Sequence, residues 1–272
     1  MSSTVSGPTL EQSIQTIFRE FGFEKLAFHW KVVLLSAAAC QGTFCLSRAL
    51  SPLVFRKTYR SLSHAEQISW DAHAVSFLHC ILIVILALPV RFEPHLRNDR
   101  VYGYSSHAGD VYAIACGYFL WDTIYYSKYI KEYGFGLLIH ACSCFVLALF
   151  SYRPFVMYYG SIFLMFELST PFLNAQWFMD KLGFVGEVKH KVNSGILVTI
   201  FFCVRIIYGF SSLYYLLVDI VPIAPTVPLH LLTIFGVALG CLHLLNILWF
   251  YKIFLRFQTL LTSEPVNKMK AS

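Results

Sequence analysis

The sequence predicts an all-α polytopic bundle of six to seven membrane-spanning helices, and three observations point there. The chain of 272 residues is 57% hydrophobic and 17% aromatic but only 13% charged, where a soluble domain carries about 25% charged residues. Its mean hydropathy is +0.61. Apolar stretches long enough to cross a bilayer recur from near residue 29 to near residue 255. Finally, a few ionisable and amide side chains sit deep inside those stretches, where each costs several kcal/mol (roughly) unless it is answered by a partner. The net charge of +6 does not signal nucleic acid, because the basic residues flank apolar segments where anionic headgroups lie.

Residues 1–27 are polar and mixed in charge, an exposed segment with no visible secretory signal. Within it Thr9-Leu10-Glu11-Gln12 has capping-box spacing. Ile14, Ile17, Phe18 and Phe21 follow at helical intervals, which suits a short amphipathic helix on the membrane surface, with a frayed tail as the alternative. Residues 28–59 hold a first anchor, 29–49, interrupted by Gln41, and a basic loop. Residues 60–258 form the main domain, with further spans near 72–90, 109–127, 134–150, 154–172, 194–221 and 228–255. The short fourth stretch and the Gln41 in the first leave six spans as the alternative to seven. Residues 259–272 are a tail.

With seven spans, lysines and arginines concentrate in the loops that share a side with the C-terminus, among them Arg56, Lys57, Arg60, Lys128, Lys131, Lys189 and Lys191. That bias places the tail in the cytosol. There Lys268 and Lys270 stand third and fifth from the end. This is the spacing that the COPI coat reads when it retrieves proteins to the endoplasmic reticulum membrane. All eight cysteines fall within expected spans, where a thiol behaves as a small hydrophobe, and no pair has metal-site spacing. Gly236 and Gly240 have small-xxx-small spacing, suited to close packing inside the bundle, with a homodimer as the alternative. Walker, dinucleotide, HExxH and GxSxG motifs are absent, so soluble-enzyme chemistry is not signalled.

The polar residues of the spans define the candidate site. Trp70, His73 and His79 bracket the start of the second span; His73 lies near the interface, whereas His79 is deep enough to need a partner. Tyr118, Asp122 and Tyr125 form one stripe of the third span. His140 is central to the fourth. Glu167, Thr170 and Asn174 share a face of the fifth, which Pro171 bends. Arg205 is too deep in the sixth to reach the interface and should pair with Glu167, Asp122 or a bound anion. His243 and Asn246 lie one turn apart on the last span.

At these residues the chain resembles the TLC-domain family, which includes the ceramide synthases. The resemblance covers roughly residues 60–258 and is carried by Trp70 with His79, Gly117-Tyr118-Phe119-Leu120-Trp121-Asp122, His140, Glu167-Leu168-Ser169-Thr170-Pro171-Phe172-Leu173-Asn174 with Trp177, Arg205 and Asn246. It is nearer to the little-characterised TLC-domain-containing branch than to the ceramide synthases. Those enzymes have two adjacent histidines, but here Ala141 follows His140; they have two aspartates where this chain has Glu167 and Thr170.

The resemblance implies an endoplasmic-reticulum protein of membrane lipid homeostasis. It further implies acyl transfer to a lipid or sphingolipid from acyl-CoA as co-substrate, with no tightly bound cofactor. His140 would be the reactive group, Glu167 and Asp122 would tune it, and Arg205, Asn174, Thr170, His79, Tyr118 and Asn246 would bind substrate. Whether the chain is an enzyme stays open at this point. The alternative is a non-enzymatic protein that binds, senses or traffics lipid or cargo. A transporter ranks last, because only one span is broken by proline rather than a matched pair.

Overall fold

The computed structural model describes residues 9–262; the lysines of the expected retrieval signal, Lys268 and Lys270, lie outside the described residues. No strand occurs among the described residues. Helix α1 (Leu10–Glu20) opens with the expected capping box: the Gln12 amide donates to Thr9 Oγ1 at 3.3 Å, and the Thr9 amide donates to Gln12 Oε1 at 2.8 Å. Ile17 and Phe21 face outward while Phe18 packs on the core, so the helix is apolar on more than one side. A Lys31–Glu11 ion pair of 2.8 Å ties it to the next helix.

Helices occupy every stretch expected to span. These are α2 (Leu26–Val54), α4 (His64–Val90), α6 (Ser106–Lys128), α8 (Phe135–Phe150), the pair α9 (Met157–Leu164) and α10 (Thr170–Lys181), the pair α11 (Val188–Phe201) and α12 (Tyr208–Ile220), and α13 (Leu229–Thr262). Short helices α3 (Arg56–Ser61), α5 (Pro94–Asn98) and α7 (Ile130–Tyr133) serve the connections. Four segments are long and apolar enough to cross a membrane: Leu26–Val54, His64–Val90, Val188–Thr226 and Leu229–Thr262; Phe135–Phe150 is apolar but shorter. The last helix runs to Thr262 and so takes in the start of the expected tail.

Six of these units form a ring in the order α4, α6, α8, α13, α11, α10 and back to α4. Helix α2 packs from outside, against α6 and α4, and contributes nothing to the interior cavities. That docking needs glycine. A Cβ on Gly117 would lie 2.3 Å from the Val33 carbonyl oxygen, and one on Gly109 would lie 2.4 Å from the His29 ring. Both side chains would be driven into α2. The amide in the first apolar stretch is answered at the same interface, where Trp121 Nε1 donates to Gln41 Oε1 at 2.9 Å. Asp71, fully buried on α4, accepts from Ser47 of α2 at 2.8 Å and from Tyr59 at 2.9 Å.

Candidate functional site

Two departures from α-helical geometry build the interior. Between α9 and α10 the chain tightens into a 3-10 turn, Met165–Ser169, and Pro171 falls in the first turn of α10. Proline lacks the amide hydrogen that an uninterrupted α-helix would need there, so the break falls where that loss is tolerated. Between α11 and α12 the chain widens into a π-helical turn, Phe202–Ile207, which carries Arg205. Such turns cluster at functional sites because they add one residue and re-aim a side chain.

The two irregular turns meet. Arg205 Nε donates to Ser169 Oγ at 2.9 Å and to the Phe166 carbonyl at 3.2 Å. One terminal nitrogen donates to Thr170 Oγ1 at 3.1 Å and lies 3.6 Å from Glu167 Oε1; the other donates to Asn246 Oδ1 at 3.2 Å. The expected Arg205–Glu167 pair is therefore present, but as one contact among several. A guanidinium with five N–H donors suits this role, because it can join three elements at once. Arg205 is 5% exposed and Glu167 8%, so each charge depends on the other and on these hydrogen bonds.

A cavity of about 430 Å³ opens beside this cluster. His73, Tyr118, Asp122, His140, Glu167, Thr170, Asn174 and Arg205 line it, together with Lys252, Arg256 and Phe257 of α13. A second, smaller cavity of about 90 Å³ is walled by apolar side chains such as Leu147, Phe163, Leu216, Phe235 and Leu239, with Asn246 also in its lining. Phe119, His140, Glu167 and Arg205 border both chambers. The site is thus a larger chamber, the more polar of the two, beside a smaller apolar one, with an imidazole, a carboxylate and a guanidinium bordering both.

Asp122 is 6% exposed and makes no hydrogen bond or ion pair among the described residues, so its carboxyl is available to whatever fills the chamber. His140 contacts Cys144 Sγ, 4.0 Å from Nδ1 and 3.8 Å from Nε2, and packs edge-on to Trp249. Neither Glu167 nor Asp122 hydrogen-bonds to it, so either acts on it only across the cavity.

The sequence-derived residues mostly converge. His79 stands apart: it stacks on Tyr118 with ring centroids 3.8 Å apart, outside both linings, and its Nε2 is buried without a partner among the described residues. His243 is also outside, held between the carbonyls of Leu239 and Gly209 at 2.8 and 3.3 Å. His73, expected at the interface, instead lines the chamber. Its partner Asn174 is far away in sequence, and no local pattern could join the two.

A helical membrane bundle whose ring encloses a chamber lined in part by a buried arginine defines the class. Residues 69–255 match the family model described as the TLC domain, and the chain belongs to that family. It is 37% identical to an uncharacterized TLC domain-containing protein, C17A2.02c, of Schizosaccharomyces pombe, over 91% of this chain and 85% of that one. It is 30% identical to topoisomerase I damage affected protein 4 of Saccharomyces cerevisiae, over 91% and 94% of the two chains. With TLC domain-containing protein 4 of Homo sapiens it shares 29% identity, over 72% and 76%. No solved structure matches the chain significantly. The first and third of these carry the family name, and none of the three names states a reaction.

Proposed function

We propose that this protein binds an amphipathic lipid in its double cavity and serves lipid homeostasis in the endoplasmic reticulum membrane by passing an acyl group from acyl-CoA to that lipid. The observation that supports this is the junction: His140, Glu167 and Arg205 border both the polar and the apolar chamber. A lipid's polar end suits the first, and a hydrocarbon chain suits the second. In this reading a neutral His140 nitrogen attacks the thioester carbonyl, the carbon–sulfur bond breaks, and the CoA thiolate leaves. The acceptor's hydroxyl or amine then attacks the acyl-imidazole, releasing the ring and giving up its proton. Arg205 holds the carbonyl oxygen or an anionic headgroup, using the terminal N–H left over from its protein contacts. The tail is cytosolic in this reading, and Lys268 and Lys270 engage the COPI coat.

A second reading, a lipid sensor or carrier without covalent chemistry, is favoured by the lack, among the described residues, of any carboxylate hydrogen-bonded to His140. One experiment separates the two. Cells lacking the protein are rescued with wild type or with His140→Ala at equal abundance, and whole-cell lipids are measured by mass spectrometry. Restoration by wild type alone supports transfer, and the altered lipid names the substrate. Restoration by both sinks transfer and leaves binding. A third rescue, with Lys268 and Lys270 both changed to alanine, reads localisation: escape from the endoplasmic reticulum is the expected result, and retention would remove the coat from the proposal.

A further inference from the structure

His73 is the best-oriented histidine in the polar chamber. Its Nδ1 lies 2.7 Å from Asn174 Oδ1. The other end of that amide is already committed, since Asn174 Nδ2 donates to Ser76 Oγ at 3.1 Å. With its hydrogens directed at Ser76, Asn174 presents Oδ1 to the ring as an acceptor, so Nδ1 carries the hydrogen and donates it. A neutral imidazole in that tautomer has its lone pair on Nε2. Nε2 has no hydrogen-bond partner among the described residues, and His73 lines the cavity. The plane of the ring is fixed as well: it stacks on Trp177 with centroids 4.3 Å apart and planes 24° from parallel. Asn174 is 1% exposed, so its amide is held largely by protein atoms.

From this geometry we infer that His73 is the proton acceptor of the chamber, held in its Nδ1–H tautomer by Asn174 as a positioning residue. The inference rests on the acyl-transfer reading above and adds the group that reading leaves unnamed. As the acceptor lipid's oxygen or nitrogen forms its bond to the acyl carbon, its proton moves to His73 Nε2. The bond from that carbon to its leaving group breaks, the electron pair departs with the imidazole or thiolate, and His73 returns the proton to it. His140, whose only polar contact among the described residues is a cysteine sulfur, lacks an oxygen partner there to select a tautomer. His73 has one, and the same logic orients catalytic imidazoles in unrelated hydrolases.

The test reads nucleophilicity without needing the substrate. The full-length protein in detergent is treated with diethylpyrocarbonate, which acylates the free nitrogen of neutral imidazoles, and labelling of each histidine is followed by peptide mass spectrometry. Labelling of His73 several-fold faster than His140 is expected. Asn174→Ala should slow His73 severalfold, and Asn174→Asp, which keeps an acceptor at Nδ1, should restore it. Should Asn174→Ala fail to fold, Ser76→Ala frees the amide to rotate and should slow His73 to a smaller degree. Labelling of His73 no faster than His140, or unaffected by these changes, overturns the inference.

The lipid rescue, extended to His73→Gln, keeps the two readings apart. Preferred labelling of His73 with a profile restored by every variant removes acyl transfer but leaves the tautomer assignment. Preferred labelling of His140 with a profile that depends on His140 alone removes the role of His73 and leaves acyl transfer.

Discussion

Arg205 shows how a single charge organises an apolar interior. Its contacts reach the 3-10 turn, α10 and α13, and its only acidic neighbour within ion-pair distance among the described residues is Glu167. Removing one member of a buried pair strands the other, at a cost of about 3–5 kcal/mol. Arg205→Leu should therefore lower the thermal unfolding midpoint in detergent markedly. The double change Arg205→Leu with Glu167→Leu should recover part of the loss, and a double variant as unstable as the single would show that the hydrogen bonds to Ser169 and Thr170 matter more than the charge. Arg205 and Glu167 were legible in the sequence because an ionisable group in an apolar run stands out. His73 was not, because the beginning of a span looks like an interface until Asn174 and Trp177 are folded against it. Nor does sequence reveal that His79 ends stacked behind Tyr118 rather than facing the chamber.

Among the elements, α2 is the one whose placement depends most on a small residue elsewhere. Gly117 of α6 leaves the space that the Val33 backbone occupies. Gly117→Leu should separate the two helices and destabilise the protein by at least the ~1–3 kcal/mol typical of overpacking. By contrast, a Cβ at Gly236 or Gly240 meets nothing within 4 Å. Gly236→Ala and Gly240→Ala should leave the unfolding midpoint of a monomer unchanged or slightly raised, because alanine favours a helix interior over glycine by about 1 kcal/mol, and a loss of cross-linked dimer in these variants alone would assign that outward face to self-association. The positions of helices were readable from apolar run length and from capping chemistry at Thr9 and Gln12. The 3-10 and π turns were not, because their cause lies in what they face. Pro171 announced a bend, but nothing local announced that residues 202–207 would add a residue to their turn.

For the whole molecule, the decisive fact is that six units close on themselves while α2 stays outside. Closure turns scattered polar residues into one chamber and leaves a second, apolar chamber against it. The sequence indicated a membrane bundle and a polar interior, yet the order around the ring is fixed by contacts between segments far apart in the chain. The smaller chamber is a direct target. Leu239→Trp should fill much of its roughly 90 Å³ and reduce the lipid that copurifies with the protein, read by native mass spectrometry. Unchanged lipid content would mean that the hydrocarbon lies elsewhere.

The π turn around Arg205 also bears on how this gene can vary. An α-helix advances about 100° per residue, so losing one codon inside regular α12 would swing everything after it by more than a quarter turn. The wide turn at 202–207 already absorbs a surplus residue without that rotation. Deleting exposed Cys203 would let the turn tighten to ordinary α-helix, keep the faces of α11 and α12, and re-aim Arg205 alone. A reading-frame-preserving loss of one codon should thus be less damaging to the fold here than one a few residues further on.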